Sequence, residues 1–288
     1  MKIGFYHSAD LDGLASGAIM KMAHPDIELI GYNYDDSFPW ERINSDTTVY
    51  MADVSLPIND MVALAKKCEY FCHLDHHVSA IEDYNNLADK PDNYQVVHNS
   101  TLSACEICWN YFIDKLQHTV SSLPIVLLGN YDTYRSVNDI SKYWETTVLP
   151  YQYYARTYLL TPDDVLNHIQ NFEYVNSYLP KGKAIYDYIK SYNKKLCNNS
   201  FVINFLGYRA IVVNAPLSNS LVFDSVYDED KHDLMMPFSF NGKTYKFSIF
   251  TTKDIDCHLL ARKFGGGGHK KAAGFVVNDL NVILNDKI

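Results

Sequence analysis

Short apolar runs alternate with amphipathic stretches over the first hundred residues. The apolar runs have the length of buried strands and cover 2–6, 27–32, 47–52 and 69–74. Between them, apolar positions recur with a helical period from residue 11 to residue 22, and again after Pro57, which suits the first turn of a helix. Strands that alternate with helices predict a parallel sheet with crossover connections.

The pattern becomes helical after residue 100 and returns to strands near residue 200. Helical periodicity covers 102–116, 122–131 and 255–264, and strand-like runs cover 201–206, 210–213, 238–240 and 244–250. Asn241-Gly242 between the last two runs is a hairpin signal. We therefore predict an α/β protein with a parallel-sheet N-terminal domain at 1–175, a helical linker at 176–199 and a smaller α/β domain at 200–288.

Two local patterns have both a structural and a functional interpretation. The segment 151–192 is rich in tyrosine, which could stack nucleobases, but we favour helix packing because aromatic side chains usually serve cores and interfaces. Cys105 and Cys108 have a spacing seen in zinc sites. Because they lie in an apolar, helix-like stretch, we interpret them as core residues.

Composition restricts the classes of partner. The 288 residues are 47% hydrophobic and carry a formal net charge of −9, which disfavours a binder of long duplex nucleic acid. A small anionic substrate held through metal ions is compatible with this charge. Because no apolar run has membrane-spanning length and the N-terminus lacks a signal-peptide layout, we expect a cytoplasmic protein with no membrane partner. The oligomeric state stays open, with a homodimer among the options.

Acidic and histidine residues lie just beyond the ends of the predicted strands: Asp10, Asp12, Asp53, Asp75, His76 and His77. In open α/β sheets this edge is where ligands bind. Carboxylates and imidazoles gathered there could hold two divalent metals, with Asp53 as the bridge, and activate water against a phosphoester. A mixed nitrogen and oxygen set suits Mn²⁺ and tolerates Mg²⁺ or Co²⁺. Taken singly, each residue also has a plain interpretation, such as helix capping by Asp10 and Asp12.

A glycine run in the C-terminal part is a second candidate site. Successive glycines can expose backbone N–H groups as an anion-binding nest, and the neighbouring histidine and lysine can add donors. The residues are Gly265, Gly266, Gly267, Gly268, His269 and Lys253. The plain interpretation is a flexible loop between a helix and a strand.

These residues resemble the signatures of one family. His7-x-x-Asp10-x-Asp12-Gly13, Asp53, Asp75-His76-His77 and Asp132 resemble the four ordered motifs of the DHH phosphoesterase superfamily. The glycine run with His269, followed by Ala272-Ala273-Gly274-Phe275, resembles the signature of the DHH-associated C-terminal domain. The segment 130–135 and Thr252-Lys253 are most similar to the nanoRNase B (oligoribonuclease) type.

The resemblance implies a set of roles. Two metals would be bound by His7, Asp10, Asp12, Asp53, His76 and Asp132. His77 would contact the scissile phosphate or assist proton transfer, and Asp75 would orient an imidazole. The chain departs from the family in the first motif, where two residues rather than three separate His7 from Asp10. It also has Ser248-Ile249-Phe250-Thr251 where an arginine is usual, with Lys253 as a substitute for that charge.

The sequence therefore predicts a two-metal phosphodiesterase, an exonuclease that hydrolyses very short oligonucleotides to nucleoside monophosphates. A short substrate follows from the acidic composition and the small second domain. Related substrates stay open: phosphoadenosine phosphate, linear or cyclic dinucleotides, and pyrophosphate. A rival of another class is an inactive nucleotide-binding module, which the intact set of acids disfavours.

Overall fold

The computed structural model describes residues 1–34, 36–116, 121–135, 142–171 and 173–284. The chain divides into two units, Met1–Tyr186 and Asp187–Ile288, and the division falls inside one long helix, α8 (Tyr174–Leu196). Each unit has its own sheet.

The first unit is built on a five-stranded parallel sheet with the order β2-β1-β3-β4-β5. Its strands are β1 (Lys2–His7), β2 (Glu28–Tyr32), β3 (Thr48–Ala52), β4 (Tyr70–Asp75) and β5 (Tyr94–His98). Its helices are α1 (Leu11–Ala23), α2 (Ile58–Lys67), α3 (Val78–Asn85), α4 (Ala104–Phe112), α5 (Leu123–Asp132), α6 (Leu149–Tyr158), α7 (Pro162–Gln170) and the start of α8. A π-helical turn at Trp144–Val148 precedes α6. The predicted parallel α/β sheet is confirmed, whereas β5 and α3 were not predicted.

Helices cover the first sheet, so its central strands are buried along most of their length. One cluster joins Phe5 of β1, Met51 of β3 and Phe71 of β4 to Met61 and Leu64 of α2. Helix α1 contacts β1, α4 and α7, and its residues 11–20 are all buried. This packing fixes the carboxyl ends of β1, β3 and β4 at one rigid edge.

The second unit contains a six-stranded mixed sheet with the order β10-β11-β9-β8-β7-β6, in which only β7 and β8 are parallel. Its strands are β6 (Phe201–Phe205), β7 (Tyr208–Asn214), β8 (Leu234–Phe240), β9 (Tyr245–Phe250), β10 (Gly267–Gly268) and β11 (Ala272–Val277), and its helices are α9 (Cys257–Arg262) and α10 (Asn281–Leu284). Asn241 closes the predicted hairpin between β8 and β9, because its side chain accepts from the N–H groups of Lys243 and Thr244. The α/β prediction for this part is confirmed too.

The two locally ambiguous patterns resolve differently. Cys105 and Cys108 are fully buried thiols, so their interpretation as core is confirmed. Among the tyrosines of 151–192, Tyr151 and Tyr178 are buried, whereas Tyr158 and Tyr188 are 57% and 70% exposed. Packing therefore explains only part of that tyrosine-rich segment. Within the described residues, no helix combines the length and the apolar character needed to cross a bilayer.

Candidate metal centre

Four chain segments bring the predicted ligands to the carboxyl edge of the first sheet. His7 is the last residue of β1, and Asp53 directly follows β3. Asp75 ends β4 and His76 comes next. Asp132 arrives from a different direction, as the last residue of α5.

The first turn of α1 contributes two more carboxylates. Asp10 is the N-cap residue, and its Oδ1 accepts from the Gly13 N–H at 3.0 Å. Asp12 is the second residue of the helix and is buried. A side chain on Gly13 would meet the backbone carbonyl of His7 at 1.9 Å, so glycine is required for the close approach of α1 to the end of β1. The capping interpretation of Asp10 and a ligand role are therefore compatible.

His7, Asp10 and Asp53 form a first group. His7 Nδ1 lies 3.1 Å from Asp10 Oδ2 and 3.6 Å from Asp53 Oδ2. Burial disfavours a charged imidazole here, but the nearby carboxylates of Asp10 and Asp53 outweigh it and raise the pKa of His7 to about 10. The shortened spacing of the first motif therefore still places His7 beside the two carboxylates.

Asp12, His76 and Asp132 form a second group. His76 Nε2 lies 3.8 Å from Asp12 Oδ2 and 3.5 Å from Asp132 Oδ2. One donor atom from each residue of either group lies within 4.8 Å of the others in that group, as metal binding requires. The same nitrogen of His76 is 3.3 Å from Asp53 Oδ1.

Asp53 joins the two groups. Its Oδ2 faces His7 of the first group, and its Oδ1 faces His76 of the second. The residue has a left-handed backbone, with φ of 62°, a conformation that aspartate tolerates better than most side chains. A carboxylate placed in this way would be shared by a cation held in each group.

The charges at this edge suit divalent cations. Burial, and then the neighbouring charges of Asp12 and Asp10, raise the pKa of Asp53 well above its usual range. Burial and the charge of Asp12 raise the pKa of Asp132 in the same way. Asp53 Oδ2 is buried and accepts no hydrogen bond from any described residue. Four carboxylates and two imidazoles form a hard, mixed oxygen and nitrogen donor set that fits two ions such as Mn²⁺ or Mg²⁺.

Asp75 lies behind these groups and holds two histidines. Its Oδ1 accepts from the His76 N–H at 2.8 Å and lies 2.8 Å from His77 Nδ1. Its Oδ2 lies 3.3 Å from His73 Nε2. Burial alone would raise the pKa of Asp75, but the charges and hydrogen bonds of His77 and His73 hold it well below its usual range. The carboxylate therefore orients the His77 ring, whose own pKa is raised to about 9 because Asp75 outweighs the cost of burial.

Sequence reasoning missed the partners of Asp12. Its Oδ2 accepts from the N–H of Ala104 and its Oδ1 from the N–H of Cys105, both at 2.8 Å, so the carboxylate sits on the N-terminus of α4. That helix begins with a capping box between Ser103 and Glu106. Ser103-x-x-Glu106 is visible in the sequence, but nothing there indicates that the capped helix points at Asp12.

Two solved structures share this architecture. The fold of PggH, a pGpG-specific phosphodiesterase from Vibrio cholerae, matches with a TM-score of 0.53 at 12% identity, over 98% of this chain and 94% of that chain. An exopolyphosphatase-related protein from Bacteroides fragilis matches with a TM-score of 0.55 at 13% identity, over 95% and 86%. Both likenesses show the fold. No protein-family model and no curated protein matches the chain.

The glycine run differs from the predicted nest. The N–H groups of three glycines donate to acceptors of the same unit: Gly265 to Arg262, Gly266 to Ala261 and Gly268 to His258. Gly267 pairs with Gly274 between β10 and β11. These three N–H groups therefore already have acceptors within the unit, and substrate binding by the glycine run stays a prediction.

The other predicted residues of the second unit are also engaged. The N–H of His269 donates to the Ala272 carbonyl at 2.7 Å. Lys253 Nζ lies 2.6 Å from Asp233 Oδ1, and Arg209 pairs with the same carboxylate. A substrate role for His269 and Lys253 stays a prediction, and Lys253 would have to bind substrate while it is paired with Asp233.

Proposed function

We propose that this chain is a metal-dependent phosphodiesterase that hydrolyses very short oligonucleotides, linear dinucleotides included, to nucleoside monophosphates. One observation carries the proposal: Asp53 faces His7 with one oxygen and His76 with the other, inside two groups of metal-type donors. The motif resemblance to DHH phosphoesterases supports the same reaction class.

We assign one set of residues to cation binding and another to substrate binding and proton transfer. Bound divalent cations would supply Lewis acidity and activate water for in-line attack on phosphorus. His7, Asp10 and Asp53 would hold one cation, and Asp12, His76 and Asp132 the other, with Asp53 shared. His77, oriented by Asp75, would contact the scissile phosphate or move a proton to the leaving oxygen. In the second unit, His269 and Lys253 are our candidates for binding the rest of the substrate.

Charge and the comparisons support a short substrate. A net charge of −9 is unfavourable for long polyanions, whose affinity depends on many basic contacts. The similar fold of a pGpG-specific phosphodiesterase supports a linear dinucleotide, which is the shortest substrate of this class. The exopolyphosphatase-related neighbour makes inorganic polyphosphate and pyrophosphate the competitors to measure.

A substrate panel tests the proposal. The purified chain with Mn²⁺ would be incubated with pGpG, RNA and DNA of two to five nucleotides, cyclic dinucleotides, phosphoadenosine phosphate, pyrophosphate and polyphosphate, and the products identified by mass spectrometry. We expect monophosphates from the short linear substrates, and we expect EDTA to prevent their release. Intact di- to pentanucleotides, or faster turnover of pyrophosphate or polyphosphate, would refute the proposed substrate class.

A further inference from the structure

Glu106 is a buried carboxylate outside both groups of predicted ligands, and it contacts the two helices that position Asp12 and Asp132. Its side chain is 10% exposed. Its Oε2 accepts from the Ser103 N–H at 3.1 Å and lies 2.5 Å from Arg135 Nη2. The same oxygen is 3.3 Å from the Ser103 hydroxyl.

On one side, Glu106 fixes the start of α4. The capping box with Ser103 orders the first turn of that helix. The first two N–H groups of that turn, from Ala104 and Cys105, bind the carboxylate of Asp12. A change in the first turn of α4 would therefore displace Asp12.

On the other side, Glu106 lies against the end of α5. Gly129 precedes Asp132 by almost one turn, and a Cβ on Gly129 would lie 2.4 Å from Glu106 Oε2. Arg135 follows Asp132 by three residues and pairs with the same carboxylate. Glu106 therefore contacts the chain on both sides of Asp132.

We propose that Glu106, through Arg135, is a positioning residue that sets the spacing of Asp12 and Asp132, and so the affinity of the cation held by Asp12, His76 and Asp132. The inference rests on the two-cation centre of the proposed function. The ligands of the other group, His7, Asp10 and Asp53, are positioned by the end of β1, the N-cap of α1 and the end of β3. Among the described residues, no hydrogen bond or ion pair of Glu106 reaches His7, Asp10 or Asp53. The two cations should therefore respond differently to its loss.

Mn²⁺ titration of the full chain by calorimetry tests this positioning role without using activity. The variants are Glu106→Gln and Arg135→Gln, with His7→Gln and Asp132→Asn as references for the two binding steps. Asp132→Asn identifies the binding step that depends on Asp12, His76 and Asp132. In Glu106→Gln and in Arg135→Gln, we expect the Mn²⁺ affinity of that step to fall about tenfold, as for other residues that orient ligands. The step weakened by His7→Gln should stay within twofold. The double variant should bind no more weakly than Glu106→Gln alone, because the loss of the Glu106 carboxylate already removes its pairing with Arg135.

Asp164→Asn is the matched control. Asp164 forms a capping box with Thr161 at the start of α7, in the same unit and without a predicted ligand on it. Removing that carboxylate should leave both Mn²⁺ affinities unchanged. If Glu106→Gln does not fold, as judged by circular dichroism, Arg135→Gln alone decides, since its side chain is one-third exposed.

The outcomes separate this inference from the proposed function. Equal losses at both steps, unchanged affinities with only a lower melting temperature, or the same loss in Asp164→Asn would overturn the positioning role. A wild-type chain that binds fewer than two Mn²⁺ would overturn the two-cation centre and both proposals with it. A wild-type chain that binds two Mn²⁺ but leaves every phosphodiester intact would overturn only the proposed function.

Discussion

The backbone N–H of Cys105 donates to Oδ1 of Asp12 at 2.8 Å, although 93 residues separate the two in sequence. The contact places a predicted metal ligand at the N-terminus of α4, where helix N–H groups and the helix dipole favour a negative charge. The ligand is thus held by backbone donors in the first turn of α4, which the capping box of Ser103 and Glu106 orders. A cation site requires ligand oxygens in fixed positions, and these backbone contacts fix the carboxylate of Asp12.

Replacing Asp12 should affect both turnover and folding. Asp12→Ala removes a predicted ligand and leaves the N–H groups of Ala104 and Cys105 without their acceptor. We expect no measurable hydrolysis of pGpG or short oligonucleotides. In saturating Mn²⁺, urea unfolding should show a loss of about 1–3 kcal/mol. Undiminished turnover by Asp12→Ala would mean that the activity belongs to another site or to a contaminant.

Asp53→Asn should separate stability from function. Burial and the charges of Asp12 and Asp10 raise the pKa of Asp53, so its negative charge is unfavourable in the metal-free chain. Asparagine removes that charge and tolerates the left-handed backbone. We expect the metal-free variant to have a higher free energy of unfolding than wild type in urea, while Mn²⁺ no longer raises its melting temperature. A metal-free variant less stable than wild type would show that the acidic cluster is not strained.

Gly182 should be far less replaceable than Gly17, although both lie in helices. A Cβ at Gly182 in α8 would lie 1.7 Å from the backbone carbonyl oxygen of Pro150, which cannot rotate away. At Gly17 in α1 the nearest atoms are side-chain carbons of Tyr6 and Pro162, at 3.1–3.2 Å. We expect Gly182→Ala to cost about 2 kcal/mol or more in unfolding free energy, and Gly17→Ala to change it by less than about 1 kcal/mol. Equal effects in thermal unfolding would contradict the close approach of α8 to Pro150.

Burial of His168 should make the protein less stable in mild acid. Desolvation lowers the pKa of His168 to about 4 from its ordinary 6.5, and its Nε2 lies 2.8 Å from the Tyr151 hydroxyl. Between these two pH values the unfolded chain binds a proton that the folded chain does not, so the stabilisation present above pH 6.5 is lost as the pH falls towards 4.

Urea unfolding at pH 7 and pH 5 measures this effect. Wild type should lose free energy of unfolding between pH 7 and pH 5. His168→Gln lacks the titrating group, so its loss over the same interval should be about 2 kcal/mol smaller. His24 and His98 also have lowered pKa values and titrate in both proteins, so the comparison isolates His168. An identical pH dependence in the variant would show that His168 is not the neutral, buried group that the structure indicates.

The carboxyl edge of the first sheet could be predicted from the sequence because its residues follow strands. The ends of parallel strands meet at one edge, so acids after β1, β3 and β4 had to approach one another. The structure brings Asp10, Asp53 and His76 together there, although metal binding itself stays a prediction. Asp132 is different, because it ends a helix and only the motif resemblance indicated it.

Contacts that depend on backbone direction could not be predicted. The apolar period of α4 shows which face is buried, but not that its N-terminus points at Asp12. The glycine run is a second case: glycines permit a nest, but the turn that forms decides which acceptors their N–H groups meet. Here Gly266 donates to the Ala261 carbonyl instead.

The central claim is that Asp53 joins two cation sites at the carboxyl edge of the first sheet. Anomalous diffraction from crystals grown with Mn²⁺ tests it most directly. We predict two anomalous peaks, one among His7, Asp10 and Asp53 and the other among Asp12, His76 and Asp132, with an oxygen of Asp53 on each. A single peak that does not involve Asp53, or peaks confined to other parts of the chain, would contradict the account.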